Sequence, residues 1–114
     1  MRIETKYTQF QATSDIEQYI EKRIGSLSRF LKRYEVDREI VVFLEVARSS
    51  KHHRHGDVFY AEATLQLPGK VIRAEHNDPD IHTAIDTIKE TLKKELSTYK
   101  NKEVTRQKRP KRRS

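Results

Sequence analysis

The residues best suited to chemistry are basic, and they recur at helical spacing late in the chain. His82, Lys89, Lys93 and Lys100 are separated by seven, four and seven residues. At about 100° per residue, this spacing keeps all four within roughly 40° of one line along a helix. Such a line of cations can replace the counterions of a phosphate backbone, although Asp86 lies close to the line and weakens it.

A second basic stripe is predicted on an earlier helix. Lys22, Arg29 and Arg33 also fall within roughly 40° of one another, and Glu17 and Glu21 lie on the opposite edge of the polar face. Either stripe alone would fit an ordinary solvated helix face. Two stripes on neighbouring helices, followed by a basic tail, favour a surface that binds a polyanion.

Arg23 is a separate case, because its angular position lies within the apolar arc of the same helix. Two interpretations stay open. The stem of Arg23 can cover apolar surface while its guanidinium reaches water. Alternatively, the guanidinium can bind a phosphate at the seam between the two helices.

The net charge of +7 is concentrated at the end of the chain. Residues 1–99 hold 16 Lys and Arg against 16 Asp and Glu, whereas residues 100–114 hold eight basic residues and one acid. A basic face on the folded body must therefore come from segregated charges rather than from an excess of them. The end of this stretch also resembles a generic nuclear-localisation patch, for which a nonspecific polyanion anchor is the simpler interpretation.

Catalytic and metal-binding chemistry is not indicated. The loop segment His52-His53-Arg54-His55 has only Asp57 as a nearby acid, and the chain has no cysteine and only three glycines. His82 and Asp86, one helical turn apart, fit a surface hydrogen bond better than an acid–base pair. We therefore expect a protein that is not an enzyme and needs no metal, cofactor or small-molecule substrate.

The surrounding pattern predicts an α+β domain over residues 1–100 and a disordered basic tail over residues 101–114. Strands are expected at residues 2–7, 39–48, 59–67 and 71–76, with a turn at Pro68-Gly69. One helix should follow a cap at Thr13 or Ser14 and run to about Arg33. A second should open at Asn77-Asp78-Pro79. Two helices with one apolar face each should pack on one side of the four-stranded sheet, in the order β-α-β-β-β-α.

No segment of the chain fits a membrane span or a leader peptide, so we expect a cytoplasmic protein.

Taken in order, several local motifs resemble the short bacterial type of ribosome hibernation-promoting factors and ribosome-associated inhibitors. The resemblance covers residues 1 to about 100. It is carried by Thr13-Ser14-Asp15-Ile16, Tyr19-Ile20, Arg23, Gly56-Asp57-Val58, Ala61-Glu62-Ala63, Arg73-Ala74-Glu75 and above all Asp80-Ile81-His82-Thr83-Ala84-Ile85-Asp86.

This resemblance implies a double-stranded-RNA-binding-like fold with an extra strand. It also implies binding to rRNA phosphates in the decoding region of the small ribosomal subunit, where tRNA and mRNA are then blocked. The long family type has a second, dimerising domain that this chain lacks, so we expect that the protein does not join ribosomes in that way. We also expect a monomer when free. Family register adds Arg23, Lys94 and Lys100 to the stripe residues. The predicted RNA-binding set is Lys22, Arg23, Arg29, Lys89, Lys93, Lys94 and Lys100.

The chain departs from the family pattern at several positions, so individual rRNA contacts cannot be copied. His82 stands where tyrosine is usual, and Ser26, Thr91 and Thr98 stand at positions that are often basic. Lys94 lies off the stripe of the second helix. Two other functions stay open: a free double-stranded-RNA-binding module, and a regulator that docks proteins on the exposed sheet face through Tyr60 and Phe43.

Overall fold

The computed structural model describes residues 1–36, 38–49 and 58–108, with side chains described through Lys102. Its elements follow the predicted β-α-β-β-β-α order. They are β1 (Arg2–Thr8), α1 (Ser14–Arg23), two 3₁₀ turns (Gly25–Phe30 and Lys32–Tyr34), β2 (Val41–Arg48), β3 (Phe59–Leu67), β4 (Lys70–Asp78) and α2 (Ile81–Lys108).

The four strands form one sheet in the order β1-β2-β3-β4. β1 runs parallel to β2, while β2 with β3 and β3 with β4 are antiparallel. A parallel pair needs a crossover connection, and α1 with the two 3₁₀ turns supplies it. The β3–β4 hairpin turns at Pro68-Gly69 as predicted, and Gly69 has a φ of 74°, which glycine adopts without a steric penalty.

Both helices cover the same face of the sheet, which confirms the predicted two-layer architecture. Alternate residues of β3 point into the core, where Ala61, Ala63, Leu65 and Leu67 are buried. They share one core with buried side chains from both helices, including Ile16, Ile20, Ile85, Ile88, Leu92 and Leu96. The other face of the sheet is open, and Phe43 and Val71 are about half exposed there.

The first helix is shorter than predicted. Thr13 caps it as expected, with its Oγ1 accepting a hydrogen bond from the Ile16 amide at 3.2 Å, but α1 ends at Arg23. Gly25 follows, and glycine is a weak helix former. Ser26 Oγ also donates a 2.6 Å hydrogen bond to the Arg23 carbonyl, a local alternative to α-helical pairing.

The 3₁₀ turns remove the basis of the predicted first stripe, because a 3₁₀ segment turns about 120° per residue instead of about 100°. The residues concerned are Lys22, Arg29 and Arg33.

The second helix begins later and ends later than predicted. β4 continues to Asp78, and Asp80 is the capping residue, since its Oδ2 accepts hydrogen bonds from the Thr83 amide and hydroxyl. At the other end, α2 continues to Lys108 instead of giving way to a disordered tail at residue 101. The segment has good helix formers and no glycine or proline before Pro110, so propagation of an existing helix is favourable. Residues 109–114 lie outside the described residues.

No helix in the described part of the chain combines the length and apolar character needed to cross a membrane.

Truncating Leu92 tests whether the apolar edge of α2 holds the two layers together. Leu92 is fully buried, so Leu92→Ala should lower the free energy of unfolding by about 2–5 kcal/mol. Denaturant unfolding followed by circular dichroism measures this. The exposed neighbour Thr91 provides the control, because Thr91→Ala should change stability by less than about 0.5 kcal/mol. Equal losses in the two variants would contradict this assignment of the core.

Candidate nucleic-acid interface

The first helical region consists of α1 and the two 3₁₀ turns that follow it. This region and α2 lie side by side and run in the same direction. Their contacts advance together along the chain. The Tyr19 ring lies 4.5 Å from that of His82, Lys100 Nζ lies 5.6 Å from the Phe30 ring centroid, and the Tyr34 and Tyr99 rings are 5.4 Å apart. We call the surface along this line the interhelical seam. The basic residues of both segments can meet there.

At the beginning of the seam, Arg23 lies against α2. Its Nε is 3.4 Å from Asp86 Oδ1, and its guanidinium lies 5.3 Å from the centre of the Tyr19 ring. Tyr19 Oη also donates a 2.6 Å hydrogen bond to Asp86 Oδ2. Arg23 therefore lies at the seam with 45% of its side chain exposed, and its guanidinium is close to the carboxylate of Asp86 in the free protein.

At the other end of the seam, Arg29 and Lys100 lie on the same aromatic ring. The Arg29 guanidinium is 4.9 Å and Lys100 Nζ is 5.6 Å from the centroid of Phe30. Cation–π contacts at exposed sites are worth about 0.5–1 kcal/mol each, enough to favour one placement of a long side chain. Two cations that are distant in sequence thus become neighbours.

Between these ends, α2 carries Lys89 and Lys93. Lys89 is 16% exposed, and its Nζ donates a 3.0 Å hydrogen bond to Glu90 Oε1. This hydrogen bond lowers the pKa of Glu90, and the charges of Lys93 and Arg23 lower it further. The seam is therefore an array of fixed cations with two carboxylates, Asp86 and Glu90, set among them.

The structure separates the predicted set into a central group and two flanking residues. Lys22 lines a shallow depression with Met1, Arg2 and Glu39, at the start of β1. Lys94 lies further around α2 than the stripe and borders the seam, in an open depression that Lys93, Asp86 and Glu90 also line. The central group along the seam is Arg23, Arg29, Lys89, Lys93 and Lys100.

Sequence reasoning missed the roles of Tyr19, Phe30 and Glu90. The Tyr19 ring contacts Arg23, and the Phe30 ring contacts Arg29 and Lys100. An aromatic residue four positions before an arginine on a helix is the signal that could have identified the Tyr19–Arg23 pair.

His82 is placed by carboxylates other than that of Asp86, with which it was considered as an acid–base pair. His82 Nε2 lies 3.4 Å from the Asp15 carboxylate, and its Nδ1 lies 3.6 Å from the Asp80 carboxylate. The imidazole is therefore paired with these two residues and not with Asp86. Within residues 1–36, 38–49 and 58–108, no three or more His, Asp or Glu side chains group as metal ligands would. The segment His52-His53-Arg54-His55 lies outside the described residues.

Several relatives share this sequence pattern. The Ribosome hibernation promotion factor of Deinococcus radiodurans is 25% identical over 92 residues, which are 81% of this chain and 45% of that protein. The protein of the same name from Picosynechococcus is 27% identical over 90 residues, 79% of this chain and 44% of that protein. The Ribosome hibernation promoting factor of Azotobacter vinelandii is 24% identical over 107 residues, 94% of this chain and 90% of that protein. The chain thus spans less than half the length of the first two relatives.

Solved structures share the fold. The N-terminal domain of Thermus thermophilus Protein Y superposes with a TM-score of 0.66 at 26% identity, covering 87% of this chain and 99% of that domain. A ribosomal subunit interface protein from Coxiella burnetii gives a TM-score of 0.64 at 21% identity, covering 89% of this chain and 99% of that chain, and supports the fold alone. The family model described as Sigma 54 modulation protein / S30EA ribosomal protein matches residues 3–104. Because that match covers nearly the whole chain, the protein belongs to the Sigma 54 modulation protein / S30EA ribosomal protein family.

Proposed function

We propose that this protein is a ribosome hibernation factor that binds rRNA in the decoding region of the small ribosomal subunit and blocks tRNA and mRNA there. The observation that carries the proposal is the interhelical seam. It gathers five cations, Arg23, Arg29, Lys89, Lys93 and Lys100, on a rigid two-helix layer. The names of the relatives point to the same process.

The chemistry of the seam suits rRNA phosphates. Lys and Arg release the counterions of a polyanion, and this release supplies much of the affinity. A double-stranded RNA surface is recognised mostly by its shape and its phosphate positions. The seam cations stand on packed helices, and rings or carboxylates of the described residues contact all of them except Lys93. Their spacing can therefore match one arrangement of phosphates and discriminate against others.

Inhibition by occupancy needs no catalysis. The protein would act by filling the space that tRNA and mRNA use, leaving the rRNA covalently unchanged. We further propose that it works in the cytoplasm on ribosomes, as a monomer when free, and that residues 109–114 add nonspecific affinity through their basic side chains.

The exposed Phe43 and Val71 favour one alternative, a regulator that docks proteins on the open sheet face. Tyr60, the other expected anchor there, donates hydrogen bonds to Glu62 and Glu75.

Sucrose-gradient sedimentation separates the functions. A ribosome factor migrates with small subunits or whole ribosomes, whereas a sheet-docking regulator or a free RNA-binding module does not.

Neutralising two seam cations should remove the site. In Lys93→Gln with Lys100→Gln, we expect loss of the chemical footprint on decoding-region rRNA, because two phosphate contacts are removed. The slope of log Kd against log salt should flatten by about two. Arg2→Gln with Lys6→Gln removes the same charge from the outer face of β1 and should keep the footprint. If the double variant on β1 loses the footprint and the double variant on α2 keeps it, the RNA-binding site lies on the sheet.

Removing residues 109–114 should weaken binding without moving it. The truncation deletes four basic residues but leaves α2 uncut to Lys108. We expect the slope of log Kd against log salt to decrease by up to about four, because up to four phosphate contacts are lost. The decoding-region footprint should stay unchanged. Footprinting and filter binding at several salt concentrations measure both effects. A truncated protein that binds tightly yet protects different rRNA positions would show that the tail selects the site.

A further inference from the structure

Asp86 places a carboxylate inside the basic seam. Tyr19 Oη donates to its Oδ2 at 2.6 Å, and Arg23 Nε lies 3.4 Å from its Oδ1. Oδ1 is buried, yet it accepts no hydrogen bond from any residue that the structure describes. The Arg23 guanidinium is therefore close to Asp86 but poorly aligned with it. A half-exposed pair of this kind is weak, so Arg23 can change partners at little cost.

Tyr19 anchors this carboxylate independently of Arg23. Burial raises the pKa of Tyr19, and the hydrogen bond to Asp86 and its negative charge raise that pKa further, while Arg23 lowers it. The phenol consequently stays protonated near neutral pH and keeps donating to Asp86. One carboxylate oxygen is thus fixed to the first helix while the other faces the Arg23 guanidinium.

Glu90 places a second, exposed carboxylate beside the seam cations, one helical turn further along α2. Its carboxylate accepts the hydrogen bond from Lys89, and the charges of Lys93 and Arg23 also act on it. The two carboxylates therefore offset part of the positive charge of Arg23, Lys89 and Lys93 in this half of the seam. An approaching polyanion meets far less attraction than the three cations alone would supply.

We propose that Asp86 competes with RNA phosphate for Arg23, and that Glu90 competes with it for Lys89. In the free protein, the two carboxylates interact with cations that pair with RNA phosphates in the complex. They keep the cations positioned, and they limit the affinity of the seam for RNA, so that bound protein dissociates more readily. This inference rests on the proposed function in one respect, that the seam binds RNA.

A double-mutant cycle tests the competition. Asp86→Asn keeps an oxygen that can accept from Tyr19 but removes the charge. With a random-sequence RNA duplex of about 20 base pairs, and with purified small subunits, Asp86→Asn should bind about fivefold tighter, mostly through slower dissociation. In an Arg23→Gln background the same substitution should change affinity by less than about twofold, because the guanidinium for which Asp86 competes is absent. Glu90→Gln with and without Lys89→Gln repeats the cycle at an exposed position if Asp86→Asn unfolds the protein.

Glu17→Gln is the matched control, since it removes one negative charge from the β1 side of α1, where that carboxylate acts on Tyr7. A similar gain in Glu17→Gln, or a gain from Asp86→Asn that survives without Arg23, would overturn the proposal in favour of a general charge effect. Unchanged or weaker RNA binding by Asp86→Asn with an unaltered Tm would also overturn it. Duplex binding without binding to small subunits would refute the proposed function and still let the cycle decide the competition.

Discussion

Burial of one apolar edge of α2 against β3 and β4 determines where the basic residues of the seam can lie. Ile85, Ile88, Leu92 and Leu96 are almost completely buried, so the rotation of α2 about its axis is set by the core. The seam residues of α2 follow from that rotation, because they lie on the neighbouring edge of the same continuous helix. The first helical region then packs alongside and brings its own cations to that edge.

The sequence was sufficient for the four strands and for the existence of α2, because burial patterns of period two and period 3.6 indicate strands and helices. It was insufficient for the first helix. Apolar residues spaced by three fit a 3₁₀ turn as well as an α-helix, and Gly25 with Ser26 is the local sequence signal for the end of the α-helix. The apolar stripe of α2 stops at Tyr99, but the helix continues to Lys108, because propagation of an existing helix does not need a buried face.

The candidate site was only partly predictable. Lys89, Lys93 and Lys100 could be grouped from spacing alone, since they share one helix. The meeting of Arg29 with Lys100 on the Phe30 ring depends on how two segments pack, which no local pattern contains. Asp86 was seen as a charge that weakens a stripe. Its hydrogen bond from Tyr19 and its contact with Arg23 give it a position and a partner that the stripe alone did not predict.

Directed hydroxyl-radical probing tests the central claim, that the seam faces the small subunit, most directly. The chain has no cysteine, so an iron chelate can be tethered uniquely at Ser97→Cys on α2 or at Thr64→Cys on the open sheet face. The account predicts strong cleavage of decoding-region rRNA from position 97, and weak or no cleavage there from position 64. Strong decoding-region cleavage from position 64 alone would contradict it, because the sheet and not the helical layer would then face the rRNA.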